Sequence, residues 1–182
     1  MKLLIAVPLL AVLAGCATQT NNLPTQADVN LEKYAGTWYE QARLPNRFQE
    51  DCAGDVRADY TLLANGSIEV VNQCLTSDGK TKVARGEGRL ATAFDPPDPA
   101  RLEVRFAPKW TSWLPMVWGD YWIMRLEGNY QYSLVGTPNR KYLWVLSRER
   151  SADDATVRRL LDHARTLGFD VDQVVRTKNK SN

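Results

Sequence analysis

Between residues 36 and 148 the chain is a run of short β-type segments, and no connection between them is long enough for a parallel crossover. A parallel pair needs a dozen or more connecting residues, usually including a helix, so successive segments here must pair antiparallel. The segments fall at about residues 36–44, 56–62, 67–75, 80–94, 101–106, 118–127, 130–137 and 141–148. Two of them alternate clearly: Val56, Ala58, Tyr60 and Leu62 against Arg57, Asp59 and Thr61, and Leu102, Val104 and Phe106 against Arg101, Glu103 and Arg105. Asn65-Gly66 and Asp78-Gly79 are strong hairpin signals, and Pro96-Pro97, Gly128-Asn129 and Pro138-Asn139-Arg140 also break the chain. An open meander of eight strands leaves two bare edges, and closure removes both. The expected fold class is therefore all-β: an eight-stranded antiparallel up-and-down barrel.

After residue 148 the period changes. Val157, Leu160, Leu161, Ala164 and Leu167 fall at helical spacing, which predicts one C-terminal α-helix packed outside the barrel. Ser151 with Asp154 reads as a capping box, and Gly168 stands where a C-terminal cap glycine belongs. Residues 171–175 read as a last short strand. With 182 residues and no internal repeat, the chain is expected to form one domain.

The N-terminus reads as an address. Lys2 precedes an apolar run over residues 3–13 that is too short to span a bilayer. It ends in Leu13-Ala14-Gly15-Cys16, which resembles the bacterial lipoprotein cleavage box. The reading that follows is a signal peptide over 1–15, a lipidated flexible tether over 16–30, a barrel domain over 31–177 and a tail over 178–182. Cys16 is expected to carry acyl chains, two or more of which anchor a protein stably to a membrane. Ala17 follows it where an aspartate could stand, a pattern similar to sorting to the outer membrane. Cys52 and Cys74 remain, and an even pair in an exported protein reads as a disulfide.

Gly36-Thr37-Trp38-Tyr39 opens the first strand, Arg148 closes the last, and a helix follows. Together these resemble the lipocalin family, and bacterial outer-membrane lipocalins within it. The resemblance implies a barrel enclosing a lipophilic ligand, with Arg148 stacked on Trp38 as a signature at the barrel base. A guanidinium can lie on an indole face and still donate to carbonyls. A second family motif, Thr-Asp-Tyr, is replaced here by Leu126-Glu127-Gly128-Asn129-Tyr130.

In an up-and-down barrel the turns alternate between two ends. Trp38, Arg148 and the tight turns at 65–66, 96–97 and 128–129 share one end, the base. The connections at 45–55, 78–79, 108–117 and 138–140 share the other, the mouth. Cys52 is expected in the first mouth loop and Cys74 just below another mouth turn, so that the bond pins the loop. Trp110, Trp113, Leu114 and Met116 form an apolar mouth loop that can admit a lipid, touch a membrane or fold back on the barrel. Parity from Trp38 and Arg148 sets Ala42, Tyr142, Trp144 and Leu146 inward. With Val56, Ala58, Tyr60, Leu62, Leu102, Val104 and Phe106 they are the expected ligand-lining residues, while Leu143 and Val145 face outward to the helix. Tyr60, Tyr142 or Arg140 is the expected partner of a polar head group.

The 23 basic and 21 acidic residues nearly balance, which gives no reason to propose nucleic acid as a partner. Motifs for nucleotides, zinc or a serine nucleophile are missing, so no catalytic residue, metal or cofactor is assigned. The single histidine, His163, lies on the helix. The leading functional expectation is a membrane-anchored lipocalin at the cell outer membrane, its barrel facing the periplasm. It binds fatty acids or lysophospholipids for storage or transport in envelope maintenance, as a monomer or a homodimer. The alternatives are a lipid-processing enzyme using a free cysteine or Glu40, and a filled barrel acting as an envelope interaction module.

Overall fold

A computed structural model describes residues 23–180, so the expected signal peptide and Cys16 lie outside the described residues. Nine antiparallel strands form one sheet that closes on itself. In chain order they are β1 (Gly36–Arg43), β2 (Cys52–Leu62), β3 (Ile68–Thr76), β4 (Thr81–Leu90), β5 (Arg101–Arg105), β6 (Gly119–Glu127), β7 (Tyr132–Gly136), β8 (Leu143–Ser147) and β9 (Val175–Arg176). Each of β2 to β7 pairs with the next, β8 pairs with β1, β1 pairs back to β2, and β9 pairs with β1. The closed eight-stranded barrel is thus present, with one strand added. Residues 171–175, expected as that strand, divide into a 3-10 turn, Val171–Gln173, and the start of β9.

Two cores follow from the alternation of side chains across the wall. Inside the barrel, Trp38, Val70, Leu102, Ile123, Val135 and Leu146 pack together. Outside it, Leu134, Leu143 and Val145 pack against Val157, Leu160 and Ala164 of α2 (Asp154–Thr166). Val157, Leu160 and Ala164 are fully buried, and burial of a Val or Leu side chain contributes about 1.5–3 kcal/mol. The N-cap of α2 is Asp153, whose carboxylate accepts from Thr156 N at 2.8 Å, rather than a box built on Ser151 and Asp154. Gly168, at φ +88°, does follow the last turn.

The structure corrects three expectations about the barrel wall and the two ends of the domain. Ala42 faces outward and belongs to the helix-side core. A bulge is the reason: β1 advances from Glu40 to Ala42 while β8 steps only from Leu146 to Val145, which inverts parity. Second, the segment expected as a flexible tether up to residue 30 is docked from Leu23 onward. Leu23 is fully buried, Gln26 N donates to Ile123 O, and Asn30 caps α1 (Leu31–Tyr34), which lies at the base. Third, the tail after 177 is part of the wall. Lys178 O accepts from Asp55 N, and Asn179 Nδ2 donates to Glu40 O. A Cβ on Gly54 would stand 2.3 Å from Lys178 O, so only glycine lets the tail lie so close.

Candidate functional site

The base is closed by a clamp around Trp38. The indole is fully buried, and Nε1 donates to Tyr34 O at 2.8 Å. The Arg148 guanidinium lies 3.8 Å from the ring centroid. It donates to Thr37 O at 2.9 Å, Lys33 O at 2.7 Å, Tyr34 O at 3.1 Å and Tyr130 O at 3.2 Å. One side chain thereby joins β1, α1 and the β6–β7 turn, satisfying carbonyls that the ends of these elements leave open. Gly36 sits at φ +97°, and a Cβ there would stand 3.3 Å from Arg148 Nη1. Tyr130, in the segment that replaces the second family motif, supplies a carbonyl, and its hydroxyl accepts from Asn30 N.

Above the clamp lies a narrow pocket of about 10 Å³, lined by Tyr34, Tyr60, Leu62, Leu102, Val104 and Tyr121 among others. Of the expected lining residues, Tyr60, Leu62, Leu102 and Val104 reach it, with Leu62 at 36% exposure on its rim. Four hydroxyls join behind it. Tyr60 Oη donates to Tyr121 Oη at 3.0 Å, the hydroxyls of Tyr121 and Tyr34 are hydrogen-bonded at 2.8 Å, and Tyr34 meets Ser133 Oγ at 3.1 Å. Burial pushes the Tyr34 phenol up to about 12 and raises those of Tyr60 and Tyr121 as well, so all three are neutral. Because the hydroxyls are occupied with one another, the tyrosines can offer ring carbon to the pocket.

Toward the mouth the interior becomes polar. Glu40 shares the inward face of β1 and is 2% exposed. Gln49, from the loop after β1, donates to Glu40 Oε2 at 2.6 Å and accepts from Trp144 Nε1 at 3.0 Å. Arg43 stands 3.7 Å from Glu40, and its Nε has no hydrogen-bond partner among the described residues. Tyr142 stacks on Trp144 at 5.9 Å and meets Phe48 at 5.7 Å. Val56 is buried, Ala58 pairs with Trp38 on the inward face, and Leu146 joins the inner core. Phe106 lies across Gly86 and is 44% exposed.

Glu40 gives the first testable outcome. Burial raises its pKa above the ordinary 4.5, while Thr177, Gln49 and Arg43 oppose the shift. The folded chain therefore holds a proton that the unfolded chain releases. Glu40's contribution is most favourable below about pH 4.5 and is lost as pH rises through the folded value. Glu40→Gln should remove that slope. In urea titrations across this range, the stability of the parent relative to the variant should fall as pH rises; a constant difference refutes the assignment.

Cys52 and Cys74 form a disulfide with Cα atoms 5.6 Å apart. Cys52 opens β2 rather than lying in the loop, because register shifts let it pair with Thr76. Arg140 is not available to a head group: its guanidinium donates to the carbonyls of Leu167 and Pro138, tying the β7–β8 turn to the end of α2. The 108–117 loop does not fold back as a lid. Trp110, Trp113 and Met116 are 77%, 76% and 85% exposed, and Leu114 is half-buried.

Comparison with known proteins agrees with this geometry. A family model described as a lipocalin-like domain matches residues 29–179. The chain belongs to the lipocalin family. It is 37% identical over 163 residues to temperature-induced lipocalin-1 of Arabidopsis thaliana, covering 88% of this chain and 84% of that protein. It is 30% identical over 169 residues to the outer membrane lipoprotein Blc of Citrobacter freundii, covering 93% and 90%. Mouse apolipoprotein D is 30% identical over 162 residues, covering 85% and 79%. Among solved structures, insecticyanin of the tobacco hornworm superposes with a TM-score of 0.68 at 17% identity, covering 88% of this chain and 86% of that one. At that identity the likeness speaks for the fold alone.

Sequence reasoning missed Tyr34, Tyr121, Ser133 and Arg43 in this lipocalin. Tyr121 stands opposite Leu102 across the β5–β6 pair, a register that only the structure gives. Arg43 had no usable signal, because the bulge that brings it inward leaves no mark in the alternation.

Proposed function

We propose that this lipocalin binds the acyl chain of a fatty acid or lysophospholipid inside its barrel. We propose also that it is held at the outer membrane by an acylated Cys16, with the barrel facing the periplasm. The observation that carries the binding reading is the graded interior: an apolar slit at Leu102, Val104 and Tyr121 below a polar mouth at Arg43. An acyl tail gains about 0.8 kcal/mol per buried methylene, and a carboxylate or phosphate at the mouth can compete with Glu40 for the Arg43 guanidinium. At about 10 Å³ the slit admits a chain only if lining side chains such as Leu62 and Tyr60 swing aside. Relatives named as an outer membrane lipoprotein and an apolipoprotein support the lipid and membrane readings. The role in storing or transporting envelope lipids follows from them. With both cysteines in a disulfide, a binding role fits better than thiol chemistry.

The small slit favours a second reading, a filled barrel that serves as an interaction module. Displacement of a fluorescent fatty acid separates the two. Val104→Trp should weaken binding of every acyl ligand by about tenfold or more, since an indole fills the slit. Arg43→Ala should weaken a fatty acid far more than its methyl ester. No acyl binding by the parent protein, in displacement or in native mass spectra with extracted lipids, would leave the second reading standing.

A further inference from the structure

The outer wall near the mouth carries a cleft that the barrel reading does not use. Gly88 and Val104 line the inner slit, so their neighbours Glu87, Arg89 and Arg105 point outward. These three, with Lys109, Ser112, Trp113 and Trp118, enclose an open cleft of about 400 Å³. Trp118 is its wall. Arg89 lies 3.8 Å and Arg105 5.2 Å from the Trp118 ring, and Trp118 Nε1 donates to Ser112 O at 2.8 Å. Arg105 is 3% exposed and pairs with Glu87, yet its Nε has no hydrogen-bond partner among the described residues. Lys109 has no ion-pair partner among them. The lining thus holds three cations and one carboxylate, and Arg89 also pairs with Glu103 at 2.8 Å, so Lys109 carries the uncompensated charge.

The loop beside the cleft is held outward, not frayed. Thr111 is buried and its hydroxyl donates to Pro108 O at 2.6 Å, while 3-10 turns at Lys109–Thr111 and Pro115–Val117 fix the backbone. The apolar tips of Trp110, Trp113 and Met116 are nevertheless each more than three-quarters exposed. Trp113 belongs to both sets: it projects into solvent and lines the cleft.

We propose that this loop and cleft form a docking site for a bilayer surface bearing anionic phospholipids. Trp110, Trp113 and Met116 enter the interfacial layer, and a lipid phosphate sits in the cleft between Lys109 and the Arg89–Trp118–Arg105 stack. Indoles favour the boundary between head groups and acyl chains, and lysines and arginines beside them meet the phosphates. A water-soluble anion would use the cations but leave three large apolar side chains in water; a bilayer satisfies both. The inference does not depend on what the lumen holds, nor on lipidation of Cys16. It brings the barrel mouth against the lipid surface.

The test uses a chain starting at residue 17, which keeps every described residue and lacks the anchor cysteine. Co-sedimentation compares vesicles of phosphatidylcholine with vesicles of an equal mixture of phosphatidylcholine and phosphatidylglycerol. The parent should partition more strongly onto the mixed vesicles. Replacing Trp110, Trp113 and Met116 by serine should reduce partitioning about tenfold or more with unfolding temperature unchanged. Lys109→Glu should reduce the preference for mixed vesicles by about fivefold or more and leave binding to phosphatidylcholine alone unaltered. Equal binding by parent and triple variant overturns the docking surface, and equal binding to both vesicle types overturns the phosphate site. Self-association in lipid-free solution that the triple variant loses, without vesicle binding, assigns the patch to a second copy instead and also overturns the proposal.

Discussion

Trp38→Ala is expected to remove roughly 3–5 kcal/mol of stability, the range for deleting a large aromatic from a packed core. The indole is fully buried, packs 5.0 Å from the ring of Tyr34 and carries the Arg148 guanidinium on its other contacts. Its loss opens a cavity at the base and removes the surface that orients Arg148. Arg148→Ala should be costly for a different reason. The carbonyls of Lys33, Thr37 and Tyr130 lose this donor together, Tyr34 O is left with Trp38 Nε1 alone, and a buried acceptor without a partner is expensive. Arg148→Lys should recover only part of the loss, since an ammonium cannot stack and reach several acceptors at once. Because the two side chains act as one unit, the double variant should be more stable than the sum of single losses predicts, by about 0.5–3 kcal/mol. Urea unfolding of the four proteins measures this. Simple additivity, or a Trp38→Ala loss under about 1 kcal/mol, would show that the clamp does not organise the base.

How much of this was legible beforehand depended on whether a signal was local. The hairpins at Asn65-Gly66 and Asp78-Gly79 and the spacing of Val157, Leu160 and Ala164 are local, and they placed strands, turns and helix well. Pairing Cys52 with Cys74 needed only the count of cysteines and the compartment. Ala42 was misplaced because parity propagates along a strand, and one extra residue between Glu40 and Ala42 inverts everything beyond it. The docking of Leu23 and of Lys178–Lys180 was not legible for another reason. Those segments are polar and carry little period; they are held by hydrogen bonds to Ile123, Asp55 and Glu40, and partners so distant in sequence leave no local trace. The site divides the same way. Trp38 and Arg148 stand out by residue type, whereas the Tyr34–Tyr60–Tyr121–Ser133 network draws on four separate elements.

The second large effect lies at the other end of the barrel. Replacing Cys52 and Cys74 together by alanine is expected to cost about 3 kcal/mol, from the loop-closure entropy of a bond spanning 22 residues. For a domain of this size that is a fall in Tm of roughly 6–12 °C. The bond does more than shorten the unfolded chain. β2 passes its bulges between Cys52 and Arg57, and there the β1–β2 pairing has ended and the C-terminal segment fills the seam. Pinning Cys52 to β3 holds the wall where its own ladder is interrupted. Asp51, next to it, reaches across to Lys82 at 2.7 Å, but this pair is exposed and contributes little. Loosening should therefore be local as well as global. Amide exchange should rise most at Gly54, Asp55 and Thr177, whose neighbours include the seam, and least at Leu102 and Ile123, on β5 and β6 across the barrel. Uniform acceleration at all of these amides would mean that the bond acts only on the unfolded chain. An unchanged Tm would mean that the seam is held by the C-terminal segment alone.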